Sequence, residues 1–162
     1  MSHDVYELGD ITLQSRRTIR QAKLAYKTFG TLNAAKDNAI IYPTSFAASH
    51  DDTAWLVGPG RALDPAKYFI IVPDMFGNGV SSSPSNTPSP TGDARFPHVT
   101  IHDNVQQQHR LVSEHFGITK LHMAIGWSLG GAQAFEWAAA FPDMVSRLFT
   151  FQSAARTSRH FH

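Results

Sequence analysis

The sequence predicts an α/β fold, built on a mainly parallel sheet with helices on both faces and an antiparallel hairpin at the amino terminus. Three observations carry this. Compact apolar runs, Ala39-Ile40-Ile41-Tyr42 and Tyr68-Phe69-Ile70-Ile71-Val72, each stop at a proline and read as buried strands. Stretches of helical character alternate with such runs, over residues 100–116 and 129–140. Between the apolar segment Leu121-His122-Met123-Ala124-Ile125 and the second helix lies Gly126-Trp127-Ser128-Leu129-Gly130. That G-x-S-x-G spacing belongs to a sharp strand-to-helix turn. Apolar strands alternating with helices imply parallel pairing covered on both faces.

The elements follow in order. Residues 11–14 and 22–29 are expected to pair antiparallel, the second being Ala22-Lys23-Leu24-Ala25-Tyr26-Lys27-Thr28-Phe29 with partial alternation. Gly30 ends it, and residues 33–38 form a polar loop. The Ala39 to Tyr42 strand stops at Pro43. Residues 52–57 read as a short helical turn before Gly58-Pro59-Gly60, and the next strand stops at Pro73. Residues 74–97 are a long loop rich in Ser, Pro, Asn and Gly; loops of this length are usually functional or mobile. Ile101, Val105, His109, Val112 and Phe116 recur near helical spacing, and Gly117 supplies a C-terminal stop. Residues 120–125 form the strand before the turn, and Arg147-Leu148-Phe149-Thr150-Phe151 is the last strand. No internal repeat or domain boundary is visible, so residues 1–162 are read as one domain.

Bulk properties narrow the function. The chain has 162 residues, 42% hydrophobic and 17% charged, enough for a real core and too apolar for disorder. A net charge of +1 gives no electrostatic case for nucleic acid or membrane surfaces. With no cysteine there are no disulfides or thiolate metal sites. Met1-Ser2-His3-Asp4 shows no secretory signal, and no apolar run approaches a membrane span. A cytoplasmic protein is expected.

The serine turn carries the chemistry. So tight a bend forces the central serine into a positive-φ conformation that costs about 1–3 kcal/mol. Crowding two residues either side suits glycine, here Gly126 and Gly130. The Ser128 hydroxyl would then stand at the carboxyl edge of the sheet and at a helix start, where free N–H groups favour negative charge. Such a serine is a candidate nucleophile. An oxyanion hole needs two donors. The N–H of Leu129 would be one, and Ser45, in the Pro43-Thr44-Ser45-Phe46 loop, is expected to supply the other. Thr44 and Phe46 are near alternatives and, with Trp127, candidates for the pocket lining.

Other patterns weigh less. Gly77-Asn78-Gly79 follows a strand, but Ser82 stands where a dinucleotide fingerprint needs its third glycine, and prolines replace the helix. It reads as a turn-rich loop bordering the pocket. Nine histidines form no H-E-x-x-H, and His98, His102, His109, His115 and His122 are scattered, so no metal site is expected. Trp55 and Trp137 read as packing residues.

Longer stretches carry a family resemblance. Leu24-Ala25-Tyr26-Lys27-Thr28-Phe29-Gly30-Thr31-Leu32-Asn33, the Gly58-Pro59-Gly60 turn with Leu63-Asp64, and Phe76-Gly77-Asn78-Gly79 with Ser81-Ser82-Ser83 resemble the homoserine O-acetyltransferase-like proteins of the α/β-hydrolase superfamily. Gly126-Trp127-Ser128-Leu129-Gly130-Gly131, Glu136-Trp137-Ala138 and Phe141-Pro142-Asp143 continue it. The resemblance implies an acyl-transferring serine enzyme with a Ser-Asp-His triad, using an ester or acyl-CoA as small-molecule donor, and no other cofactor. Homoserine acetyltransferases proper usually place glycine before the serine and methionine after it. Trp127 and Leu129 stand there in this chain, closer to the broader branch of α/β hydrolases.

In this fold the acid and the histidine follow the serine. Only 34 residues follow Ser128, and one βαβ unit takes about 30 or more. The chain is therefore expected to be the nucleophile-bearing half of the fold, lacking the carboxy-terminal strands and catalytically incomplete alone. Asp143 reads as a helix stop, and His160 and His162 lie in the tail. Two functions stay open: acyl transfer or ester hydrolysis, and a non-catalytic structural or interaction role. An open sheet edge around Leu148 to Phe151 is expected to favour self-association.

Overall fold

A computed structural model describes residues 2–88 and 90–156; His160 and His162 lie outside the described residues. Strand β1 (Asp4–Thr12) pairs antiparallel with β2 (Thr18–Phe29). The hairpin is longer than the sequence pattern marks. In β1 the register breaks on either side of Gly9, which scrambles the alternation that would reveal the strand. In β2, Ile19, Ala22, Leu24 and Tyr26 are buried while Arg20, Gln21 and Lys23 face water.

β3 (Ala39–Ile41) and β4 (Phe69–Pro73) are buried at every residue. That is why they read as unbroken apolar runs. β5 (Met123–Trp127) precedes the serine turn and β6 (Leu148–Phe151) comes last. The sheet order is β1-β2-β4-β3-β5-β6. β2 meets β4 antiparallel, with Tyr26 opposite Pro73; β4, β3, β5 and β6 run parallel, with Ile40 opposite Ile70 and Ile125 opposite Phe149.

Alternating side chains split the core between the two faces. Ile41, Ile71 and Leu24 pack with Val105, Leu111, Val112 and Trp137. Ile40, Ile70, Val72 and Ile125 pack with Tyr42, Val57 and Leu63.

Helix α1 (His50–Thr53) starts earlier than the sequence pattern suggests. Ser49 and Asp52 form a capping box at its start, and a 3-10 turn, Ala54–Leu56, completes it. Helix α2 (Ile101–Arg110) opens on a Thr100–Asp103 capping box. The expected single helix then widens into a π turn, Leu111–His115, before Gly117 at φ +63°. Helix α3 (Ser128–Ala140) follows β5 without a linker. Among the described residues no helix is long and apolar enough to cross a membrane.

The long loop over residues 74–97 is knit by its own polar side chains. The hydroxyls of Ser82 and Ser81 accept from the backbone N–H groups of Lys23 and Ala25, both at 2.9 Å, and so stand in for a strand beside β2. Because β3, β4 and β5 are parallel, their carboxyl ends open on one edge of the sheet, where loop 43–49 meets the start of α3 and is tied to Asn78 of the following loop.

Candidate active site

The backbone changes hand at the end of β5. Trp127 is extended at φ −124°, and Ser128 lies at φ +51° as the first residue of α3. A side chain at Gly126 would run into the backbone of Gly130. A side chain at Gly130 would come within 2.5 Å of the Pro43 carbonyl oxygen. One glycine is thus demanded by the turn itself, the other by the loop after β3. Ser128 is partly buried, and its hydroxyl makes no hydrogen bond to any described residue.

Loop 43–49 closes over the start of α3. The Leu129 N–H donates to Ser45 Oγ at 3.2 Å, so the residue after the serine and Ser45 are brought together. Asn78 grips the same loop at three points. Its Nδ2 donates to the carbonyls of Ser45 at 2.7 Å and Ala48 at 3.0 Å, and its Oδ1 accepts from the Ala47 N–H at 3.3 Å. The grip holds Ala47 at φ +55°, a conformation rarely adopted without glycine.

Thr44 is fully buried and belongs to the framework behind the site. Its N–H donates to the Pro73 carbonyl at 3.1 Å, its Oγ1 accepts from the Met75 N–H at 3.0 Å, and its carbonyl accepts from Gln133. Phe46 is 76% exposed. Trp127 packs on the cluster around Ile40 and Ile125, and its Nε1 is buried without a partner among the described residues.

Two groups escaped the sequence. The first is a buried amide relay: Trp137 Nε1 donates to Gln108 Oε1 at 2.8 Å, Gln108 Nε2 to Gln133 Oε1 at 2.7 Å, and Gln133 Nε2 to the Thr44 carbonyl at 2.9 Å. It links α2, α3 and the loop after β3. Helical spacing could have placed Gln133 on the face of Trp137, one turn away. The second is the buried pair of His50 and Asp74. The His50 N–H donates to Asp74 Oδ1 at 2.8 Å, and its Nδ1 lies 2.6 Å from Oδ2. Burial pushes the Asp74 carboxyl above its ordinary value, with His50 pulling the other way. Residues 24 positions apart carry no sequence signal for such a pair.

The scattered histidines find separate partners. His102 pairs with Glu136 at 2.8 Å, His109 stacks on Phe141 and His115 meets the Tyr26 hydroxyl at 3.1 Å. A groove of about 590 Å³ lies between α3 and residues 154–156, lined by Phe135, Glu136 and Arg156 and not by Ser128.

Residues 38–161 match the alpha/beta hydrolase fold family. The chain belongs to that family. Over 163 residues it is 41% identical to the ethyl acetate hydrolase of Pseudomonas veronii, covering 98% of this chain and 47% of that one. Over 170 residues it is 37% identical to a homoserine O-acetyltransferase of Leptospira biflexa, covering 95% of this chain and 45% of that one. The solved structure of the acetyl esterase MekB superposes with a TM-score of 0.97 at 40% identity, over 99% of this chain and 47% of that one. This α/β-hydrolase chain thus spans about half the length of the relatives it matches.

Proposed function

We propose that Ser128 is the nucleophile of an acyl-transfer reaction, either hydrolysis of a small-molecule ester or transfer of its acyl group to an alcohol. The observation that carries this is the left-handed Ser128 at the strand-to-helix junction, with the Leu129 N–H held against Ser45. Ser128 Oγ attacks the ester carbonyl, and the carbonyl oxygen becomes an oxyanion. Leu129, in the first turn of α3, and Ser45 face that oxygen, aided by the helix dipole. The alkoxide leaves with the proton that the Ser128 hydroxyl gives up, an acyl-enzyme remains, and water or an alcohol removes the acyl group and returns a proton to Ser128. Names of similar proteins, an ethyl acetate hydrolase and an acetyl esterase among them, favour a short acyl group. An acyl-CoA is the alternative donor, suggested by similarity to homoserine O-acetyltransferase. The family chemistry needs a histidine base and an acid. No described side chain bonds the Ser128 hydroxyl, and a serine without a base is a weak nucleophile, so slow acylation is the outcome expected of this reading.

The test is mass spectrometry after incubation with p-nitrophenyl acetate. An acetyl group on the peptide holding Ser128, absent from Ser128→Ala, supports the reading. Equal labelling of lysines in both proteins, with Ser128 unmodified, defeats it. That outcome would favour a non-catalytic interaction role, for which the 55% exposed Phe149 on the last strand speaks.

A further inference from the structure

The bond between Leu129 and Ser45 has a direction, and the direction matters. The N–H of Leu129 donates and Ser45 Oγ accepts, at 3.2 Å. The hydroxyl therefore sits where an oxyanion would sit, as a neutral occupant of the hole. Ser45 is only 2% exposed, and its hydroxyl proton finds no acceptor among the described residues. A buried hydroxyl that accepts one hydrogen bond and spends no proton is a donor in reserve.

Its backbone, meanwhile, is fixed. The Ser45 carbonyl accepts from Asn78 at 2.7 Å and from the Ala48 N–H at 3.2 Å. The preceding Thr44 is held by Pro73, Met75 and Gln133. What can move cheaply is the Ser45 side chain, by rotation about its Cα–Cβ bond between staggered positions. Its one hydrogen bond among the described residues, from the Leu129 N–H, passes to the arriving oxygen, so rotation leaves the Leu129 N–H paired.

We propose that the Ser45 side-chain hydroxyl is itself an oxyanion donor, which caps the Leu129 N–H at rest and turns to donate to the negative oxygen as it forms. This rests on the acyl-transfer reading of Ser128. The alternative on the same geometry is a plug, which competes with the oxyanion for Leu129 and gives nothing back. The unspent proton favours the donor. A resting cap also keeps the Leu129 N–H paired before substrate arrives, so that donor is not left a buried orphan.

The two roles respond oppositely to Ser45→Ala. Benzeneboronic acid, whose boron adds the serine oxygen and turns tetrahedral and anionic, is the probe of the hole. Binding is followed on the Leu129 amide signal of the isotope-labelled chain, and acetylation of Ser128 by p-nitrophenyl acetate is timed in parallel. A donor predicts that Ser45→Ala weakens boronate binding and slows acetylation by about 100-fold, with KM little changed. Ser45→Thr, which keeps a hydroxyl, recovers most of both. If Ser45→Ala does not fold, Ser45→Cys replaces it, since a thiol is a weak donor of similar size. Unchanged or tighter boronate binding in Ser45→Ala overturns the proposal, as does a Ser45→Thr variant no better than Ser45→Ala. Ser128-dependent acetylation without boronate binding also overturns it and leaves the acyl-transfer reading standing. Acetylation that is the same in Ser128→Ala ends both.

Discussion

Gln133 donates its side-chain Nε2 to the backbone carbonyl of Thr44 at 2.9 Å, and both residues are fully buried. One amide on the serine helix thereby fixes the loop that faces the serine. Behind it stand Gln108 and Trp137, each spending its donor on the next residue of the relay.

Replacing Gln133 by Leu fills similar volume and strands two groups, the Thr44 carbonyl and the Gln108 amide. Each buried orphan costs about 1–3 kcal/mol, so Gln133→Leu is expected to lose roughly 3 kcal/mol in urea unfolding. Trp137→Phe keeps most of the packing, strands only Gln108 Oε1 and should lose less. Equal stability of wild type and Gln133→Leu would contradict the relay.

The serine turn stores strain that can be read apart from chemistry. Ser128→Gly removes the side chain that dislikes φ +51°. Ser128→Ala keeps it and removes only the hydroxyl. The glycine variant should melt above the alanine variant by an amount equivalent to about 1 kcal/mol, because relief of a left-handed residue outweighs the extra entropy of glycine. The opposite order would mean that the turn is relaxed.

Gly130→Ala should be costly for a different reason, since the new methyl would press on the Pro43 carbonyl at 2.5 Å. Overpacking against backbone costs about 1–3 kcal/mol. Calorimetry would show it as a lower Tm.

Asp74 gives a pH signature. Its folded pKa is raised, chiefly by burial. The folded state therefore holds the proton to higher pH than the unfolded chain, whose aspartates titrate near about 3.9. Between that value and the raised one, stability from this group falls as pH rises. Asp74→Asn keeps an acceptor for the His50 N–H and cannot titrate. Urea midpoints measured upward from about pH 4 should therefore decline in wild type relative to Asp74→Asn. A wild type that gains on the variant would show that pairing with His50 outweighs burial.

The last strand bears on assembly. Leu148 is 38% exposed and Phe149 55%, at a strand with no neighbour on its outer side among the described residues. The chain is expected to self-associate in light scattering, and Phe149→Lys should return it to a monomer, since charge on an edge strand opposes addition. A wild type that stays monomeric at high concentration would rule this out.

The serine turn was legible because its signal is local: two glycines and a serine at fixed spacing between a strand and a helix. The paired Ile40 and Ile70 were legible as apolar runs for the same reason, burial on both faces. Much of the hairpin was not, since the register breaks beside Gly9, and in β2 the left-handed Gln21 sets two exposed residues, Arg20 and Gln21, between buried Ile19 and Ala22. The loop over residues 74–97 has the composition of a mobile segment; its order comes from serine hydroxyls aimed at β2, which composition does not reveal. Gln108 and Gln133 are residue types usually found in water. Only the meeting of two helices explains their burial.

The hairpin's irregular register reaches beyond the hairpin. β1 forms the opposite margin of the sheet, and there Gly9 breaks the ladder while Asp4, Glu7 and Asp10 face outward in solvent. A margin broken at Gly9 and carrying exposed carboxylates disfavours a partner strand, whereas the apolar margin at Phe149, without a neighbour among the described residues, favours one. A particle with one reactive end and one inert end behaves as a monofunctional reagent does in polymer chemistry. Two such particles could join end to end while a third would find nothing to hold, so any strand addition is expected to close at the pair, and light scattering should then show a dimer and no larger species.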